Sequence, residues 1–104
     1  MVSPHVLHFD TAPGTTEREN FTIRNTGTGT LHANVGPPKH DPPFSIVSND
    51  GALTIPPGSS VTVTVQYAPT RQGTTFDRIL ITSNDPEHKK DTVGLKGTAK
   101  VPRR

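Results

Sequence analysis

A glycine-rich loop is the first stretch of this 104-residue chain that could bind a ligand. The residues "NTGTGTL" place Gly27 and Gly29 between threonines. A dinucleotide-binding loop needs Gly-x-Gly-x-x-Gly between a strand and a helix, because the helix N-terminus holds the pyrophosphate. Here Ala33 is the later small residue, but its spacing is wrong; a strand pattern follows, and no Gly-Lys-Ser/Thr phosphate loop occurs. We interpret the stretch as a chain reversal in which Asn25 can bond the backbone ahead and the glycines are free to adopt left-handed geometry.

Histidines and acidic residues could bind a metal, but their spacing does not favour it. The five histidines are His5, His8, His32, His40 and His88. Three positions separate His5 from His8, which puts them on opposite faces of a strand, and the others lie in separate segments. There is no cysteine, and "SNDPEHKKD" lacks the alternating acids, central Gly and final Glu of an EF-hand loop. The sequence predicts surface histidines, no metal site and no cofactor.

Nucleophilic catalysis is not favoured either. Serine, histidine and aspartate are all present, but no Gly-x-Ser-x-Gly elbow occurs. Ser59 and Ser60 follow a Pro-Pro-Gly turn that opens a strand. We therefore predict no catalytic residues and no enzymatic activity.

Basic residues offer an alternative function. The formal charge is +2 and the sequence pI is about 9.3. A basic patch for nucleic acid or acidic ligands could be built from Lys39, Arg71, Arg78, Lys89 and Lys90. Base stacking would need aromatic residues beside them, and we expect all five aromatics to face inward. Nucleic-acid binding is therefore the disfavoured alternative to a solvated charged surface.

Period-two alternation dominates the rest of the chain. In "SVTVTVQY" Val61, Val63, Val65 and Tyr67 share one face, while threonines and Gln66 share the other, which is typical of a strand with one wet face. Eight strands are predicted: Val6 to Phe9, Asn20 to Asn25, Leu31 to Val35, Phe44 to Val47, Ala52 to Ile55, Ser60 to Tyr67, Arg78 to Ser83 and Thr92 to Gly97. The side chains expected inside are Leu7, Phe9, Phe21, Ile23, Leu31, Ala33, Val35, Phe44, Ile46, Ile79, Ile81, Val93 and Leu95.

Turn chemistry separates these segments. The chain has 11 prolines and 9 glycines, and no window has the apolar spacing of an amphipathic helix. Turns are predicted at Ala12 to Gly14, Asn49 to Gly51, Pro56 to Gly58 and Asn84 to Pro86. The longest apolar run is three residues, so no membrane insertion is expected. The length predicts one domain over residues 1–104, with its core at about 6–99 and a tail at 100–104.

An ordered set of motifs carries a family resemblance from about Leu7 to Ala99. The motifs are "LHFD", "FTIRNTGTGTL", "PPFSIV", "TIPPGSSVTVTVQYAPTRQGT", "ILITSNDP" and "VGLKGTA". Together they resemble the ASH domain (abnormal-spindle and Hydin type) and the bacterial repeats of choice-of-anchor D proteins, within the PapD-like and major-sperm-protein-like group. The family commonly has Phe-Gly after its first strand, where this chain has Phe9 and Asp10. The resemblance implies an all-β, immunoglobulin-like antiparallel β-sandwich of seven to eight strands, as the alternation also suggests.

The resemblance also implies a non-catalytic protein-interaction or structural spacer module of a larger assembly. Its partners would be other proteins or neighbouring domains of the same chain, bound through sheet edges, faces or loops. Charged outward residues such as Arg24 and Lys96 would guard against promiscuous strand pairing. The implied location is the cell surface or outside in a bacterium, and the cilium, centrosome or cytoplasm in a eukaryote. The sequence assigns no partner-binding residue and no partner identity.

Overall fold

The computed structural model describes residues 2–39, 43–49, 51–85 and 89–101 of the chain. In these ranges the regular elements are strands: β1 (Val2–Ser3), β2 (Val6–Thr11), β3 (Glu17–Arg24), β4 (Leu31–Val35), β5 (Phe44–Ser48), β6 (Gly51–Ile55), β7 (Ser60–Tyr67), β8 (Gly73–Ser83) and β9 (Lys90–Ala99). None of the described residues forms a helix of the length and hydropathy needed to span a membrane.

The strands form two facing sheets. The four-stranded sheet has the order β1-β3-β7-β5, and the five-stranded sheet has the order β2-β9-β8-β4-β6. Neighbouring strands pair antiparallel except for β2, which runs parallel to β9. The result is an immunoglobulin-like sandwich.

Alternate residues of each strand meet between the sheets. In β7 the side chains of Val63, Val65 and Tyr67 are buried, as the period-two pattern predicts. One end of the core is aromatic: the ring centroid of Tyr67 lies 5.0 Å from that of Phe44 and 5.7 Å from that of Phe9. Rings at such separations attract one another beyond the gain from burial alone, so this cluster ties the two sheets together.

The predicted fold class is confirmed, with two differences of detail. All eight predicted strands are present, and β1 is a ninth that the sequence did not indicate. The N-terminal segment divides: Val2–Ser3 pairs with β3, whereas Val6–Thr11 pairs with β9 in the other sheet. The antiparallel expectation is wrong for β2 and β9, because side chains alternate in the same way along parallel and antiparallel strands.

The inward faces also match the prediction closely. Apart from Phe76, which is described below, the side chains expected inside are buried except Ile46 and Val61, which are partly buried and pack against the core. Two predicted turns contain glycine at positive φ, Gly14 at 85° and Gly58 at 79°. At the third, Asn49 has φ 62° and Gly51 has φ 77°. The fourth turn extends to Pro86, which lies outside the described residues.

Candidate interaction surfaces

The glycine-rich loop is a crossover between the sheets. It joins β3 in the four-stranded sheet to β4 in the five-stranded sheet. The Asn25 side chain fills it: Nδ2 donates to the carbonyl oxygens of Gly29 (2.7 Å) and Ile55 (2.8 Å), and Oδ1 accepts from the N–H of Gly27 (3.0 Å). The predicted bonding by Asn25 is confirmed. The glycines do not use the left-handed geometry open to them, since neither Gly27 nor Gly29 has a positive φ.

The main chain of Asn25 extends this network. Its N–H donates to the carbonyl of Ser59 (2.9 Å), and its own carbonyl accepts from Gly58 (3.0 Å). Asn25 is only 3% exposed, so its amide is committed to holding the 25–30 loop against the 56–59 turn. A phosphate would have to displace these bonds, and the loop is therefore structural.

The described histidines do not converge. His5, His8 and His32 are exposed, and no group of three or more His, Cys, Asp or Glu side chains in the described residues could hold a metal ion. His5 Nε2 lies 3.8 Å from Asp91 Oδ1 at the surface. His40 and His88 lie outside the described residues.

One shallow cavity of about 230 Å³ lies at an end of the sandwich. It is lined by Pro43, Tyr67, Ala68, Pro69, Thr70, Arg71, Gln72, Gly73, Thr74 and Thr75. This set has no histidine, carboxylate, serine or cysteine, and its hydroxyl groups are those of Tyr67 and three threonines. Burial raises the pKa of the Tyr67 phenol above its ordinary value.

The hypothetical basic patch is not assembled as one surface. Gly73 and Thr82 lie near opposite ends of β8, and Lys90 is paired with Thr82. Arg71 precedes Gly73, so it lies at the other end of the sheet from Lys89 and Lys90. Ten residues of strand separate these ends by about 30 Å.

The expectation that every aromatic faces inward is wrong for Phe76. Its side chain is 66% exposed, whereas the other four aromatics are at most 1% exposed. β8 begins at Gly73, five residues earlier than predicted, so Phe76 is inside the strand. It has the same parity as Leu80 and the opposite parity to buried Ile79, and alternation therefore turns it outward.

Four strands have an open edge: β1, β5, β2 and β6. Open edges offer unpaired N–H and C=O groups to another strand, and proteins commonly protect them. β1 has only two residues and Pro4 follows it. β5 carries an irregularity in register between Ile46 and Ser48. Arg24 and Lys96, expected to guard edges, lie instead on the interior strands β3 and β9.

The edge of β2 is protected by a side chain. The carbonyl of Thr11 accepts a hydrogen bond from the N–H of Lys100, which follows β9 (2.9 Å). The main-chain groups of odd β2 positions therefore point toward β9, and those of even positions point away from the sheet. The outward N–H of Asp10 is bonded to Glu17 Oε2 (2.6 Å). A carboxylate thus occupies a donor that an incoming strand would need.

The orientation of β4 shows which groups of β6 are free. The N–H of Gly36 donates to the carbonyl of Leu80 in β8 (2.9 Å). At the other end of β4, the carbonyl of His32 accepts from the N–H of Asn84 (3.1 Å). Even positions of β4 therefore direct their main-chain groups toward β8. Odd positions direct theirs toward β6, because these directions alternate along a strand.

The edge of β6 is followed by Pro56 and Pro57, but within the described part of the chain its register is regular and no side chain bonds its outward main-chain groups. The odd residue Ala33 is paired with Leu53, so Leu53 is bonded to β4 and its neighbours Ala52 and Thr54 direct N–H and C=O away from the sheet. We call these four groups the β6 edge. The strand sequence, Gly-Ala-Leu-Thr-Ile, has no charge and no proline, and its register with β4 is regular over five residues.

Comparisons with known proteins agree with this architecture. Residues 1–98 match the model of the family described as HYDIN/CFA65/VesB-like, Ig-like domain. The ASH/PapD-like domain of human CEP192 (PapD-like domain 7) is similar with a TM-score of 0.71 and 16% identity, covering 99% of this chain and 86% of that one. The comparison with curated proteins gave no match.

Two bacterial structures are similar over part of their length. A protein of unknown function from Porphyromonas gingivalis W83 has a TM-score of 0.77 and 24% identity, covering 94% of this chain and 45% of that chain. The E. coli chaperone DraB has a TM-score of 0.70 and 9% identity, covering 100% of this chain and 57% of that chain. This chain thus spans about half the length of each, and at these identities the likeness shows the fold alone.

Proposed function

Because the chain belongs to the HYDIN/CFA65/VesB-like family of Ig-like domains, we propose that it is a non-catalytic protein-binding module of a larger protein. Residues 1–104 make up one such domain, and the family match over residues 1–98 supports this extent. The module binds a partner by accepting one of its strands at the β6 edge. The observation that carries this proposal is the unprotected main chain of Ala52 and Thr54.

The mechanism is strand addition. An extended partner segment that lies beside β6 can bond to two outward N–H and two outward C=O groups. Each such bond contributes roughly 0.5–1.5 kcal/mol net. Because main-chain bonds carry little sequence information, specificity comes from side chains beside the edge, where Thr54 is exposed and Leu53 is half-buried.

The test selects random linear peptides from a phage-displayed library on the immobilised 104-residue chain and measures their affinity for variants. Thr54→Pro removes the outward N–H but leaves the bonds between β4 and β6 intact. Thr54→Lys keeps the N–H and adds the charge that protects natural edges. Thr62→Lys is the matched control, because Thr62 is exposed on the interior strand β7.

We expect a class of selected peptides to lose at least about tenfold in affinity for both Thr54 variants and to keep its affinity for Thr62→Lys. Hydrogen exchange at Ala52 and Thr54 should slow when such a peptide binds. Peptides that bind the Thr54 variants as tightly as the wild-type chain would contradict binding at the β6 edge.

A further inference from the structure

The outer face of the five-stranded sheet exposes large apolar side chains at its centre. β8 is the middle strand of that sheet. Phe76, Arg78 and Leu80 follow one another on its outer face, about 7 Å apart, and we call them the β8 stripe. Phe76 is 66% exposed and Leu80 is 44% exposed. Phe76 and Leu80 lie on either side of Arg78, and apolar side chains grouped with an arginine on one exposed face are typical of binding surfaces.

Neighbouring strands widen this surface. Lys96 is opposite Phe76 on β9, and its Nζ lies 5.8 Å from the centre of the Phe76 ring. Gly94 is opposite Arg78 and has no side chain. The exposed side chain of Val6 on β2 lies beside it.

The charges on this face are mainly positive. Arg78, Lys90 and Lys96 are exposed there, with Asp10 as the acidic residue on the outward positions of β2, β8 and β9. A second copy of the chain would bring like charges together and is disfavoured. Nucleic acid would pair with the cations but would leave the aliphatic side chains of Leu80 and Val6 in water.

We propose that the β8 stripe and Lys96 bind an acidic segment of a protein partner. Apolar side chains of the segment cover Phe76 and Leu80, and its carboxylates pair with Arg78 and Lys96. Arginine is enriched at interface hot spots, and phenylalanine is enriched in protein interfaces generally. This inference rests on the proposed role in protein binding, but its surface is separate from the β6 edge.

The experiment uses the same phage-displayed library with variants of the stripe. Phe76→Ser and Leu80→Ser remove apolar area, and Arg78→Glu reverses a charge. Val47→Ser is the matched control, because Val47 is as exposed as Leu80 but lies on β5 of the other sheet. Since all these side chains are exposed, the variants should fold, which circular dichroism and urea unfolding verify.

The expected result is a class of peptides rich in Asp or Glu with apolar residues between them. Their affinity should fall at least about tenfold with Phe76→Ser and with Arg78→Glu, stay unchanged with Val47→Ser and Thr54→Pro, and weaken as salt is added. This pattern would hold even if strand addition at the β6 edge failed.

Several outcomes would overturn the inference. One is a selection in which no peptide depends on Phe76, and another is Phe76-dependent peptides without acidic residues. The same conclusion would follow if sedimentation showed a dimer that Phe76→Ser dissociates, or if a DNA oligonucleotide bound this face with a steep loss of affinity in salt.

Discussion

The ring of Tyr67 lies directly against Gly97 across the two sheets. A Cβ atom at position 97 would come within 2.8 Å of Tyr67 Cδ1 and closer still to Cε1 and Cζ. Tyr67 belongs to β7, and Gly97 belongs to β9 of the facing sheet. The absence of a side chain at position 97 therefore leaves room for the largest buried side chain of the core.

Gly97→Ala should destabilise the fold, because the added methyl group must displace the Tyr67 ring. Overpacking of this kind lowers the free energy of unfolding by roughly 1–3 kcal/mol. Gly94→Ala is the control on the same strand, since a Cβ there would meet its nearest atoms at 3.7 Å. Urea unfolding of the two variants measures the difference. Equal stability of the two variants would contradict the close contact.

The strands could be predicted from sequence because alternation is a local signal. Period-two patterns locate β4 and β7 at their observed bounds. The exposed position of Phe76 could also be predicted, since it shares parity with Leu80 rather than with Ile79. The sequence prediction began this strand at Arg78 rather than at Gly73, so it did not include Phe76 in the alternation.

The sheet edges could not be predicted in this way. Strand order depends on pairings between distant segments, and the alternation of side chains within each strand does not specify which strands become neighbours. Protection of β2 by Glu17 and exposure of Ala52 and Thr54 follow only from the register and its hydrogen bonds. The candidate β6 edge is thus a property of topology rather than of local sequence.

Asn25→Ala should be strongly destabilising for its size. The substitution leaves the carbonyls of Ile55 and Gly29 and the N–H of Gly27 without their partner at a site that is 3% exposed. Unsatisfied buried polar groups cost about 1–3 kcal/mol each, and partial access of water to the loop brings the expected total to roughly 2–4 kcal/mol. Chemical denaturation measures this loss.

Asn34→Ala is the matched control for Asn25, because Asn34 is exposed on the outer face of β4. Its effect on the free energy of unfolding should stay within about 0.5 kcal/mol. A similar small effect for Asn25→Ala would show that the crossover loop does not depend on its amide.

The stability of the chain should fall at alkaline pH because of Tyr67. Burial raises the pKa of this phenol in the folded state, whereas the unfolded chain ionises near the ordinary pKa of about 10. The neutral phenol therefore stabilises the fold fully below the unfolded pKa, and this contribution is lost as pH rises through the folded pKa.

Tyr67 is the single tyrosine and there is no tryptophan, so tyrosinate absorbance reports its ionisation directly. The free energy of unfolding, measured from pH 8 to about 11, should decline more steeply for the wild-type chain than for Tyr67→Phe, which lacks the phenol. Parallel declines, or a native ionisation at the ordinary pKa, would contradict this assignment.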